Sequence, residues 1–276
     1  MTAAVVIRPG ALGIDVVADA SGRTRTASLR QRYPQRVTMP LYCDPEHPGA
    51  ATLCVQSPSG GAFSDDDLYT TVRCGAGAHL HLTTQAATQV FAGDGPGARH
   101  HISFAVHDGA ILQYYPGTVI PHTDSHFTQR IDIAVEKGGV YLGWEAVAAG
   151  RIAHGERYGY SGYDSALVVS VDGRIVARDR QLIRPQAGSD ATALIDGDYV
   201  ATFLAVAPGR PVPALLDRIR SALNDADGVD GGASGLPRDA GVFVRLTAHR
   251  APDLQRTRQQ LFDAARAALV PKASAR

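Results

Sequence analysis

From Ala51 to about Asp179 the chain runs in short alternations of apolar and polar residues, broken by glycine-containing turns, which predicts strands rather than helices. The clearest pair is Leu167–Val171 and Arg174–Arg178 around Asp172-Gly173, a dipeptide that supplies the two positive-φ positions of a type I′ hairpin. Similar turns follow Ile102, Phe104 and Val106 at Asp108-Gly109, and follow Ile131, Ile133 and Val135 at Gly138-Gly139. Strands joined this tightly are expected to be antiparallel neighbours.

Helical periodicity is confined to the C-terminal part. Leu215, Leu216, Ile219 and Leu223 recur at three- and four-residue intervals after Pro211 and Pro213, and Leu254, Leu261, Phe262, Ala265 and Leu269 form a second stripe after Pro252. Between them, Gly228 to Gly241 reads as a Gly- and Asp-rich loop, followed by a strand with Val242, Val244 and Leu246 on one face. No internal repeat is evident. The chain is read as one unit over residues 1–276, with a possible seam near 185–198 before a C-terminal α/β part.

Composition narrows the class. The 276 residues carry 27 Lys and Arg against 27 Asp and Glu, a net charge of zero, with no basic stripe to neutralise phosphates or grip an anionic bilayer. Neither nucleic acid nor a membrane is therefore an expected partner. Zero net charge also removes self-repulsion, which favours association and an assembly role. Cys43, Cys54 and Cys74 are too few for a disulfide framework, and neither a signal-peptide core nor a membrane-length apolar run occurs, so a cytoplasmic protein is expected.

Enzyme signatures are missing: the chain has no Gly-x-Ser-x-Gly, no Walker loop, no Gly-x-Gly-x-x-Gly after a strand and no His-Glu-x-x-His. His79 and His81 lie on one face of a strand, with His122 and His126 downstream. They either line a solvated sheet face or contribute to a metal site. The pattern distantly resembles the cupin barrel enzymes, a metalloenzyme alternative using His79, His81 and His122, although Gln85 stands where a cupin carboxylate belongs.

A further set of motifs is more specific. Pro58-Ser59-Gly60-Gly61-Ala62-Phe63 leads into Ser64-Asp65-Asp66-Asp67, and Thr83-Thr84-Gln85 follows one strand later. Then come Tyr114-Tyr115-Pro116-Gly117, Trp144-Glu145, and Gly150-Arg151 with Gly155-Glu156. In this order and spacing they closely resemble the urease accessory proteins of the UreD/UreH type, from about Ser57 to Arg180 and weakly beyond. The chain departs from the family pattern at Ser64 and Asp65, which replace a second Gly pair, at Gln89, where Lys is common, and at Tyr114, where Trp is usual.

The resemblance implies a non-enzymatic scaffold that binds urease apoprotein, a companion accessory scaffold and an accessory GTPase, and assists nickel delivery. It implies two β layers wound somewhat like a helix of strands. Together with the residue patterns, the expected fold is mainly β, a two-layered, antiparallel-rich, β-helix-like architecture with two C-terminal helices. No tightly bound cofactor is expected. Nickel would be in transit through an internal passage, and weak oxygen ligands suit release better than several imidazoles or thiolates. Asp66, Glu145, Glu156 and Asp179 are the candidate carboxylates. Asp66 could equally be a turn residue, Arg151 and Glu156 a structural ion pair, and Trp144 core packing. Gly60, Gly61, Thr84, Pro116, Gly150 and Gly155 are the accompanying motif positions.

Overall fold

The computed structural model describes residues 10–185 and 195–270 and folds them into two stacked β-sheets, with two helices against the outer face of one. The described chain opens with an antiparallel pair, β1 (Gly10–Ala18) and β2 (Thr24–Arg32), and a short edge strand, β3 (Arg36–Val37). Three coils follow, each made of a long, a short and a second long strand. The first is β4 (Ala51–Gln56), β5 (Gly61–Ala62) and β6 (Asp67–Cys74). The second is β7 (His79–Thr84), β8 (Thr88–Val90) and β9 (Ala98–Val106), and the third β10 (Ile111–Tyr115), β11 (Val119–Pro121) and β12 (His126–Val135). A fourth turn of the coil contributes β13 (Val140–Ala148) and β14 (Gly162–Val171).

Corresponding strands of successive coils pair in parallel: β4, β7, β10 and β13 in one sheet, β6, β9, β12 and β14 in the other, with β5, β8 and β11 stacking between them. The β-helix-like, two-layered, mainly β architecture with two C-terminal helices is therefore present. The antiparallel expectation fails at Asp108-Gly109 and Gly138-Gly139. There the chain turns a corner from one sheet into the other, so β9 and β10 are not neighbours, nor are β12 and β13. Each corner closes a tight turn, Ala110 N–H to His107 O at 3.0 Å and Gly139 N–H to Glu136 O at 2.9 Å, and one corner stacks on the next, Gly77 N–H reaching Asp108 O. A tight turn fixes only the local reversal of direction; whether the strands pair depends on where the twist sends them. The hairpin at Asp172-Gly173 does form: β14 pairs antiparallel with β15 (Arg174–Ile183), with φ +46° and +76° at the two turn residues.

After the solenoid, β16 (Tyr199–Val206) pairs antiparallel with β13 and carries the chain to α1 (Val212–Asn224). The predicted loop between the helices contains a strand, β17 (Val229–Gly235), paired with β18 (Gly241–Ala248). Its sequence, Val-Asp-Gly-Gly-Ala-Ser-Gly, lacks the apolar alternation that signals a strand, because an edge strand can be held by backbone hydrogen bonds alone. The second helix, α2 (Ala251–Leu269), begins as predicted with Pro252 in its first turn. Of the possible seam at 185–198, residues 186–194 lie outside the described residues.

Alternation along β13 divides the core. Val140, Leu142, Trp144 and Ala146 face the helices, packing with Leu215, Ile219, Leu261 and Phe262, while Tyr141 and Val147 face the opposite sheet. The latter face looks across the sandwich at Phe104, Ile131, Phe127 and Tyr163. Trp144 is thus core packing, 1% exposed. Each such large apolar side chain contributes about 1.5–3 kcal/mol by burial.

Candidate functional site

Glu145 interrupts the inward face of β13 with a carboxyl group. Gln129 on β12 and Ser165 on β14, inward positions of the facing sheet, reach across to it: Gln129 Nε2 donates to Glu145 Oε1 at 2.6 Å and Ser165 Oγ at 3.0 Å. Burial pushes the Glu145 carboxyl up to about 7, against the pull of those two hydrogen bonds.

A cavity of about 440 Å³ opens between the sheets beside it. Its inner wall is Tyr114, Phe127, Gln129, Glu145 and Tyr163; its rim is formed by exposed residues of the loops 57–60 and 85–86, together with Pro116 and Gly117. The motif residues Gly60, Gly61, Thr84 and Pro116 all line it. Their roles are structural. Thr84 Oγ1 donates to Ala86 O at 2.9 Å and accepts from Gly117 N–H at 2.8 Å, tying the two rim loops together. Gly61 lies so close to β8 that a Cβ would sit 2.2 Å from Gln89 O, so only glycine lets these strands pair. At the inner end Gln35, Thr70 and His100 form a second polar group, with Gln35 Nε2 on Thr70 Oγ1 at 2.7 Å and Thr70 Oγ1 2.9 Å from His100 Nε2. Burial pulls His100 down to about 4, so it is neutral at pH 7.

The four candidate carboxylates divide. Only Glu145 lines the cavity. Asp179, on β15, accepts from Arg245 Nη2 at 2.6 Å and is close enough to raise the Glu145 carboxyl further. Asp66 accepts the Phe63 N–H at 2.8 Å and closes the turn before β6. Glu156 is gripped by Arg151, whose Nε donates at 2.9 Å, and the guanidinium holds its carboxyl down at about 2. Gly150 and Gly155, with φ +144° and +78°, bracket the short 3₁₀ turn Ile152–His154 that brings Arg151 and Glu156 together.

His79, His81 and His122 are not brought together. His79 and His81 face the C-terminal helix side, where His79 Nε2 is 2.8 Å from Gln113 Nε2 and Arg266 holds Asp44 at 2.6 Å nearby. His122 lies on the β8 and β11 side, 2.8 Å from Gln89 Oε1, with Arg151 and Glu156 as its charged neighbours. Among the described residues no group of three or more His, Cys, Asp or Glu is arranged to hold a metal ion. The mostly parallel coils also differ from the antiparallel barrel that the cupin alternative requires.

Of the departures from the family pattern, Tyr114 lines the cavity, Gln89 holds His122, and Ser64 Oγ accepts from Gly95 N–H at 3.3 Å; Asp65 is exposed. Gln129, Ser165, His100 and Gln35 belong to none of the sequence motifs. Gln129 does carry a signal: in Phe127, Gln129, Ile131, Ile133 it is the one polar residue at an inward position.

The fold is a β-solenoid-like stack of coils with a cavity between its two sheets. Residues 9–276 match the model of the family described as UreD urease accessory protein, and the chain belongs to that family. It is 70% identical over 268 residues to urease accessory protein UreD of Mycolicibacterium gilvum, covering 97% of each chain. It is 33% identical to urease accessory protein UreD 2 of Streptomyces griseus, over 86% of this chain and 83% of that one. It is 28% identical to urease accessory protein UreD of Natronomonas pharaonis, over 95% of this chain and 89% of that one.

Proposed function

We propose that this chain is a non-catalytic scaffold of urease maturation, which binds urease apoprotein, a companion accessory scaffold and an accessory GTPase, and passes Ni²⁺ through its interior toward the urease active site. Membership of the UreD family supports the maturation role. The observation that carries the nickel reading is the inter-sheet cavity with Glu145 on its wall. A divalent cation in transit needs a polar, enterable path and ligands that let go. A single carboxylate that is partly protonated near pH 7 meets the second requirement better than a closed set of three or four ligands. No cofactor of its own is required. The working compartment is the cytoplasm, consistent with three free cysteines; among the described residues no helix is long and apolar enough to cross a membrane.

The test is co-expression of a urease operon with this chain or its variants, reading nickel per urease and urease activity, each normalised to immunoblot. Glu145→Gln is expected to lower nickel per urease while leaving the amount of this protein unchanged. Asp66→Ala and Glu156→Ala, which remove a turn bond and an ion pair, are expected to lower activity only as far as they lower abundance. Full urease nickel with Glu145→Gln would overturn the passage reading.

A further inference from the structure

Both helices pack on the eleven-stranded sheet, so the outer face of the seven-stranded sheet carries none. Arginines project from that face on β2, β6, β9, β12 and β15, and across its middle they are matched by carboxylates: Arg99 by Asp67 at 3.5 Å, Arg130 by Asp132 at 3.0 Å and Arg180 by Asp164 at 2.6 Å. At the β2 end the balance changes. The register sets Arg32, Ala11 and Tyr69 in one row, Arg30, Gly13 and Thr71 in the next, and Ser28, Asp15 and Arg73 in a third. Because β1 presents only Ala11 and Gly13 in the first two rows, the longer side chains of β2 and β6 stand as walls, and a groove of about 390 Å³ lies between them. Two strand spacings, roughly 10 Å, separate those walls, room for one extended chain.

Three guanidiniums, those of Arg30, Arg32 and Arg73, line the groove against one carboxylate, Asp15. Asp15 stands 3.9 Å from Arg73, with the two side chains 29% and 60% exposed, and so long and open a pair neutralises little. Arg30 has no ion-pair partner among the described residues. Tyr69 stacks on His101 with ring centroids 5.0 Å apart and donates its hydroxyl to Asp67 at 3.3 Å, so this wall is fixed while 43% of the residue stays exposed.

We propose that this groove docks an extended acidic segment of a partner protein. Arg30 and Arg32 project from one side of β2 two residues apart, roughly 7 Å, which is also the repeat of alternate side chains in an extended chain, so Glu or Asp at every second position fits them. The guanidinium fork takes a carboxylate through paired hydrogen bonds, and of the 27 basic residues of this chain only Lys137 and Lys272 are lysines. Tyr69 supplies the apolar contact. A longer phosphate backbone would run onto Asp67, Asp132 and Asp164, whereas a short peptide need cover only the groove. This docking is independent of the cation path.

Fluorescence anisotropy tests it, using the full-length chain and a short fluorescein-labelled peptide in which glutamate alternates with serine. The unaltered chain is expected to bind this peptide saturably at low salt, to release it at about 0.5 M salt, and to ignore the counterpart in which glutamine replaces glutamate. Arg30→Gln with Arg73→Gln is expected to weaken binding roughly tenfold, and Gly13→Leu, which fills the floor without changing charge, by a similar factor. Arg178→Gln, on β15 at the far edge of the same face, is expected to leave binding unchanged. Should Gly13→Leu melt early, Ala11→Leu serves as the filler. Full binding with the groove filled, or an equal loss with Arg178→Gln, would reduce the effect to diffuse charge and overturn the site. A single-stranded DNA of equal charge that outcompetes the peptide would overturn the choice of a protein partner, and no binding of the glutamate peptide would overturn the docking outright. None of these outcomes bears on the nickel content of urease with Glu145→Gln.

Discussion

Replacing Glu145 by Gln should make the protein more stable at pH 8 and change it little more than a constant amount at pH 4.5. The carboxyl titrates near 7 in the folded chain against 4.5 for an unperturbed glutamate, chiefly because it is buried. A carboxyl raised in this way favours the folded state fully below its unfolded pKa, and that contribution is lost as pH rises through about 7. At about 1.4 kcal/mol per pKa unit, the loss amounts to about 3 kcal/mol, an upper bound because the cavity beside Glu145 admits solvent that screens the charge. Gln keeps an oxygen for the Gln129 and Ser165 donors and never ionises, so it escapes this loss. Any misfit of its amide hydrogens adds the same offset at every pH. Urea unfolding followed by Trp144, the sole tryptophan and a buried one, measures both proteins from pH 4.5 to 8.5. The variant's advantage should grow by up to about 3 kcal/mol across that range, most steeply between 5 and 7. A difference that stays flat with pH would refute a buried, partly protonated carboxyl at this position.

Three further outcomes follow from the geometry. Gly61→Ala should lower the melting temperature by several degrees, costing about 2 kcal/mol or more, because β5 must move off Gln89 O, whereas Gly60→Ala, with open space around it, should cost only the roughly 1 kcal/mol of a left-handed alanine. Thr84→Val should cost about 1–2 kcal/mol in urea unfolding and speed hydrogen exchange at the Gly117 amide, which loses its acceptor. On the acid side, His79 and His100 are held down at about 3 and 4 by burial, so stability should fall as pH drops below the unfolded value of 6.5 toward those numbers. His79→Gln should flatten that slope in urea titrations from pH 7 to 4.

How much was legible in the sequence depends on whether a feature is local. The Asp172-Gly173 hairpin, both helices and the inward alternation of Ile131 and Ile133 are local, and the chain spells them out. Parallel stacking is not local. Each coil is roughly 30 residues, but the corners vary in length and the equivalent positions His100, Gln129 and Ser165 share polarity rather than identity, so no repeat is visible. The site is half legible: the sequence offers Glu145 alongside three other carboxylates, and only the fold separates the one on the cavity wall from Asp66 in its turn and Glu156 in its ion pair. Gly60, Gly61, Thr84 and Pro116 were found as motifs, but their gathering around one rim comes from loops of three different coils.

That gathering follows from the way parallel coils are built. With strands in parallel register, a residue at one inward position is beside the same position of the next coil, so a single polar choice repeated once per turn becomes a continuous row. An antiparallel sandwich of the same composition could also bury polar residues in a line, but through unrelated positions of each strand. The solenoid needs only that one level of each coil stay polar while the levels above and below stay apolar, as Ile131 and Phe127 do on either side of Gln129. From the opposite sheet, the carboxyl of Glu145 meets Gln129 and Ser165 of that row. A packed core would place leucine at such a crossing. The carboxyl there weakens the fold above pH 7, and the apolar levels around it supply the stability that lets the chain keep it.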